Sequence, residues 1–141
     1  MSLLRTADHL QWRLGQKLAQ FGLSPTQYNA LRILRGAEPD GLRCSDIGER
    51  MISRDPDITR LLDRLQHRSL VRRRHEPKDR RVIKAHISKS GIKLLKDMDQ
   101  DVEKFMRALL GHLGEDRLRS LIQLLEVVRE FPGKNAVTKE A

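Results

Sequence analysis

A change of hydrophobic period near residue 70 constrains this chain more than any other feature. Ile58, Leu61, Leu62 and Leu65 fall at i, i+3, i+4 and i+7, which places them on one side of a helix. Further along, Ile83, Ala85 and Ile87 alternate with Lys84 and His86, the period of a half-exposed strand. Val71 to His75 reads as the partner strand. The polar run Glu76 to Arg81, holding Pro77, reads as the hairpin tip. A helix with one apolar side therefore runs directly into a short hairpin.

Around this pair the spacing is helical. Leu3, Ala7, Leu10, Leu14, Leu18 and Phe21 form one stripe ending near Gly22. Ser24-Pro25 restarts the chain with a cap and a first-turn proline, and Tyr28, Leu31, Ile33 and Leu34 continue to Gly36. Glu38 to Gly41 reads as a turn. Ser45 is expected to cap a short third helix carrying Ile47 and Met51. Asp55, with Pro56 behind it, is expected to cap the fourth. Ser88 opens a long fifth helix with Leu94, Leu95, Met98, Val102, Phe105, Leu109 and Leu110. A last helix from Glu115 is expected to bury Leu118, Leu121, Ile122, Leu125 and Val128 before Pro132-Gly133. Residues 134–141 are polar and expected to be disordered. The fold class is mainly α with a small β-hairpin.

Charge narrows the function. Lys and Arg number 28 against 19 for Asp and Glu, a net +9 that favours a polyanionic partner. Residues 68–89 hold nine of the bases and two of the acids, so +7 of that charge sits in and beside the hairpin. Aromatic residues are 4%, too few for a base-stacking platform. No stretch approaches the roughly 20 apolar residues of a membrane span. Arg5, Asp8, His9 and Arg13 interrupt the N-terminal stripe, so it reads as neither signal nor anchor, and a cytoplasmic location is expected. One cysteine excludes an internal disulfide, and five scattered histidines offer no zinc spacing, so no metal or cofactor is expected. No phosphate loop, nucleophile elbow or metalloprotease motif is present, and the chain is not read as an enzyme.

Residues 45–88 thus read as short helix, turn, second helix with one polar face, and cationic hairpin. That is the order of a winged helix-turn-helix, whose second helix enters the major groove of double-stranded DNA. Five motifs make the resemblance specific. Ile58-Thr59-Arg60-Leu61-Leu62-Asp63-Arg64-Leu65 resembles the recognition helix of the MarR family of transcriptional regulators. Leu70-Val71-Arg72-Arg73 resembles the run leading into that family's wing, and Asp79-Arg80-Arg81 its wing motif. Ile87-Ser88-Lys89-Ser90-Gly91 and Leu23-Ser24-Pro25-Thr26-Gln27-Tyr28 follow the family pattern in the expected order. The resemblance implies one unit over 1–133, with a DNA-binding lobe at about 24–89 and dimerisation helices at about 2–21 and 89–131. It also implies a homodimer on a palindromic operator, and repression relieved by a small phenolic or other aromatic ligand, or by oxidation.

The candidate DNA contacts are Arg54, Asp57, Thr59, Arg60 and Arg64 around the fourth helix, and Arg73, Lys78, Asp79, Arg80, Arg81 and Lys84 in the wing. Arg60 and Arg64 either touch DNA or bridge to Asp57 or Asp63. Asp57 either accepts from a cytosine amine or positions Arg54 or Arg60. Asp79 is expected to orient an arginine that lines the minor groove. Trp12, off the main stripe beside His9 and Arg13, either lines a ligand pocket or packs at the dimer interface. Cys44 is a redox candidate, set against an inert, partly buried thiol. The alternative to an operator-specific regulator is an architectural or protein-interaction winged helix without an effector.

Overall fold

The computed structural model describes residues 1–52 and 57–131. Arg54, Asp55, Pro56 and the tail expected at 134–141 lie outside the described residues. The order is α1 (Ser2–Ala19), α2 (Pro25–Gly36), α3 (Cys44–Arg50), α4 (Ile58–His67), β1 (Val71–Glu76), β2 (Asp79–Ile87), α5 (Lys89–Leu110), a short 3-10 turn (Gly111–Leu113) and α6 (Glu115–Glu130). It is the mainly helical fold with one antiparallel hairpin that the periodicities imply. The chain forms two compact units, Met1–Val102 and a second beginning at Glu103.

In the first unit, Leu18, Leu31, Leu34, Ile47, Leu62, Leu65, Val71, Leu95 and Met98 are fully buried and form the core. Local chemistry sets the helix starts. Ser24 Oγ accepts from Gln27 N (3.1 Å) and Ser24 N donates to Gln27 Oε1 (3.1 Å), a reciprocal capping box with Pro25 behind it. Ser88, 6% exposed, accepts from Gly91 N (3.0 Å) and donates to the Ser69 carbonyl (2.6 Å), so one hydroxyl starts α5 and closes the hairpin base.

Two cap assignments are corrected. α3 begins at Cys44 and not after Ser45; Arg43 stands at its N-cap, with no side-chain cap bond. α4 is capped by Asp57 rather than Asp55, because the Asp57 carboxylate accepts from Arg60 N at 3.1 Å. The hairpin tip is also shorter than expected. Glu76 pairs with Asp79, so Pro77 and Lys78 alone form the turn and the strands absorb the rest of the polar run.

β2 carries an irregularity where Arg80, Arg81 and Val82 fall between the pairs Glu76↔Asp79 and His75↔Ile83. Such a bulge turns side chains out of the ladder. At the other end of β2, Leu42 and Ala85 exchange backbone hydrogen bonds of 3.0 and 2.7 Å. Ile87 N donates to Glu38 Oε1 (3.2 Å), so a side chain completes the edge beyond the single Leu42–Ala85 bridge. Gly41 is required here. Its φ is +66°, and an added Cβ would lie 2.5 Å from the His86 ring and 2.8 Å from the Ala85 carbonyl.

The expectation that α6 buries its apolar side does not hold within the single chain. None of its residues is buried, and Ile122, Leu124, Val127 and Val128 are more than half exposed. The outer part of α1 is similar, with Leu3, Leu4 and Trp12 exposed and Leu18 alone buried. The apolar spacing of these helices marks surfaces that an isolated chain leaves uncovered.

Gly91 tests the packing at the base of the hairpin. A Cβ there would lie 2.5 Å from the Leu70 carbonyl and 2.7 Å from Ile87 Cγ1. Gly91→Ala is expected to lower the unfolding free energy by about 1–3 kcal/mol, the usual cost of overpacking, measured by chemical denaturation. An unchanged midpoint would refute this close approach.

Candidate nucleic-acid interface

α4 divides cleanly. Leu61, Leu62 and Leu65 are buried, which anchors the helix against the core. Thr59, Arg60, Asp63, Arg64 and His67 are exposed on the other side, at spacings of three and four. Ile58 packs over Gly48, where an added Cβ would meet Ile58 Cγ1 at 3.5 Å, so the end of α3 and the start of α4 touch. Of two short helices in contact, the second, with its outward cationic side, can enter a groove as wide as the major groove of B-DNA.

The cations are not equivalent. Arg60 Nε lies 3.4 Å from Asp57 Oδ2, so Asp57 both caps α4 and steadies Arg60. This is the positioning alternative read for Asp57. Arg64 is exposed and, among the described residues, has no carboxylate partner. Arg73 reaches back to α4 and pairs with Asp63. Only 24% of its side chain is exposed and its Nε is buried without a partner, so it docks the hairpin on the helix. Lys84 is likewise engaged, 2.6 Å from Glu76 across the hairpin. Ion pairing, one pair to α4 and one across the strands, therefore commits two of the sequence-derived contacts to holding the wing together.

At the tip the arrangement reverses. Asp79 Oδ1 accepts from Arg81 N (3.0 Å) and Nε (3.2 Å), and Oδ2 lies 3.5 Å from Arg81 Nη2. The guanidinium is held by a fork yet remains 92% exposed, ready to meet a second anion. His75 Nδ1 donates to the Arg80 carbonyl (2.6 Å) and fixes the bulge from the opposite strand. Lys78 and Arg80 are exposed beside it, and Arg72 and Arg74 along β1.

Both tip carboxylates are held below their ordinary values by the cations beside them. The Arg81 side-chain bond, followed by the Arg81 backbone bond, holds Asp79 below its ordinary 3.8. The Lys84 bond does the same for Glu76, below its ordinary 4.5. A depressed carboxylate contributes to the hairpin above its unfolded value and loses that contribution as pH falls through the folded one.

Sequence reasoning did not identify Asp63 and His75 as the residues that hold the wing. Asp63 looks like any exposed helical acid until the strand ten residues on folds back over it. His75 Nδ1 meets the Arg80 carbonyl only because of the bulge. His9 and Trp12 do stand side by side, with ring centroids 6.3 Å apart. They and Arg13 are exposed, and the described clefts adjoin the hairpin, one lined by Asp63, Gln66, Arg73, Arg74, His75 and Ile83. Cys44, partly exposed, is the first residue of α3.

The MarR family profile matches residues 23–83, from the start of α2 into the wing. A MarR transcription factor from Planctomyces limnophilus is 42% identical, with a TM-score of 0.68 over 89% of this chain and 90% of that one. The chain belongs to the MarR family. It is a family of DNA-binding transcription regulators and not of enzymes. The HTH-type transcriptional regulator MhqR of Bacillus subtilis is 28% identical over 128 residues, 89% of this chain and 86% of MhqR. The Staphylococcus aureus regulator MepR, solved in complex with DNA, is 26% identical with a TM-score of 0.78, covering 90% of this chain and 93% of MepR. Among the described residues no helix of this MarR protein is long and apolar enough to cross a membrane.

Two measurements test the wing. Asp63→Ala and Arg73→Ala are each expected to cost about 1–2 kcal/mol, with a coupling of at least ~0.5 kcal/mol in the double mutant. Additive losses would mean that the pair does not hold the hairpin. In a carboxyl carbon-13 NMR titration, Asp79 is expected to titrate below 3.8 and to move up in Arg81→Ala. An unmoved Asp79 would show that the fork does not form in solution.

Proposed function

We propose that this MarR protein binds a palindromic operator as a homodimer, with α4 in the major groove and the wing tip at the adjacent minor groove. The observation that carries this reading is the split of α4. Buried Leu61, Leu62 and Leu65 turn Thr59, Arg60 and Arg64 outward, next to a hairpin that presents the Asp79-clamped Arg81. Thr59, Arg60 and Arg64 supply base and phosphate contacts. Arg80, Arg81 and Lys78 supply contacts at the wing. Asp57 and Asp79 position arginines, and Arg73 and Lys84 hold the wing. Arg54, next to this surface in sequence, is assigned phosphate contact on its charge.

The homodimer reading is supported by the uncovered apolar sides of α1 and α6, each of which needs a partner surface. Two-fold pairing presents two α4 helices and so selects a two-fold site. Occupying a promoter in this way represses it. Release by a small phenolic or other aromatic ligand is assigned to His9, Trp12 and Arg13, because an exposed indole beside an imidazole offers stacking and hydrogen bonding to such a ring.

Gel-shift titration on the DNA flanking the protein's own gene tests the proposal. One discrete complex on a palindrome is expected, and equal affinity for scrambled duplex would favour an architectural role. Arg81→Ala is expected to weaken binding and to reduce the slope of log affinity against log salt by about 1. An unchanged slope would remove Arg81 from the interface.

A further inference from the structure

We propose that Ile52 is a specificity-determining residue, a pinned apolar contact for the 5-methyl group of a thymine in the operator. The inference rests on the DNA-binding reading above and adds a base identity to it.

Ile52 is 80% exposed, among the most exposed large apolar side chains of the protein. A lone exposed apolar residue needs no function by itself. Its position and its fastening distinguish this one. The other strongly exposed apolar side chains lie mainly on α1 and α6, the surfaces assigned to dimerisation. Ile52 lies between α3 and α4, beyond the end of the buried seam. Met51 before it is 7% exposed, leaves the helix with extended backbone, and donates to the Ile47 carbonyl. Ile52 N then donates to Asn29 Oδ1 on α2 at 3.0 Å. A buried neighbour and a cross-helix hydrogen bond thus hold the backbone on which this exposed side chain stands.

The Ile58–Gly48 contact brings α3 against α4, and Ile52 stands in the connection that leads from one to the other, five residues before the Asp57 cap of α4. The N-terminal part of a recognition helix is the part that meets base edges. Facing a duplex there, a branched aliphatic side chain has no hydrogen bond to offer. The one apolar group that base pairs display in the major groove is the thymine methyl. Phosphate contacts made by Arg60 and Arg64 are accepted by every sequence, whereas an Ile–methyl contact distinguishes T·A from the other pairs.

The test uses the full-length protein and a duplex recovered by selection from a randomised library. Each thymine of that duplex is replaced singly by deoxyuridine, which removes only the methyl group. For the unmodified protein, one thymine per half-site is expected to show a three- to fivefold loss of affinity, the size of one buried methyl. Ile52→Ala is expected to lose a similar factor on the all-thymine duplex and nothing further on deoxyuridine substitution at that position. Ile52→Val, which keeps a branched contact and the backbone hydrogen bond to Asn29, is expected to retain most of the methyl effect. Full-sized deoxyuridine penalties in Ile52→Ala, or affinity equal to the unmodified protein, would overturn the assignment while leaving operator binding intact. A protein that selects no common site would instead overturn the operator reading, and this assignment with it.

Discussion

The structure depends on one packing decision: which side of α4 faces the core. Leu62 and Leu65 are fully buried and Leu61 nearly so. Burial of a leucine side chain stabilises by roughly 1.5–3 kcal/mol. Three in one seam outweigh any gain from turning Arg60 and Arg64 inward, since an unpaired buried charge costs several kcal/mol. The apolar seam therefore dictates where the cations point. Asp57, as cap, fixes where the helix begins and holds the first of them.

The hairpin inherits its placement from α4. Arg73 on β1 meets Asp63 on the helix, and Ser88 and Gly91 close the base against Ser69 and Leu70. Glu38 and Leu42 secure the far edge through Ile87 and Ala85. Charges near the body of the lobe are thus neutralised in pairs, while those at the tip are oriented and left exposed. The same residue types serve both ends, and the difference is geometric. Arg73 on β1 meets Asp63 of α4 and Lys84 on β2 meets Glu76 across the hairpin, whereas Arg80 and Arg81 fall in the irregular stretch between paired residues.

Much of this is legible in the amino-acid order because it is local. The 3.6 and 2.0 periods locate α4 and the hairpin, and Ser24-Pro25 and Ser88 mark helix starts by chemistry within a few residues. Two of the starts misread, Ser45 and Asp55, show the limit of that reasoning. Several capping residues stand close together there, and the bond from Arg60 N marks Asp57 as the cap of α4. The Asp79–Arg81 fork spans two residues and was readable. The Asp63–Arg73 pair and the His75–Arg80 contact require the hairpin to fold back, and no short-range pattern encodes that. The apolar spacing of α6 was real, but spacing cannot say whether the covering surface belongs to the same chain.

The central claim is that the outward side of α4, with the wing tip, meets the duplex. Amide nitrogen-15 NMR, with the selected operator titrated into labelled protein, tests it directly. The largest shift changes are expected in residues 57–67 and 77–82, with the buried Leu62 and Leu65 amides moving least within α4 and α6 unaffected by DNA. Changes concentrated on α6, with Thr59, Arg60, Arg64 and Arg81 unmoved at saturation, would contradict it.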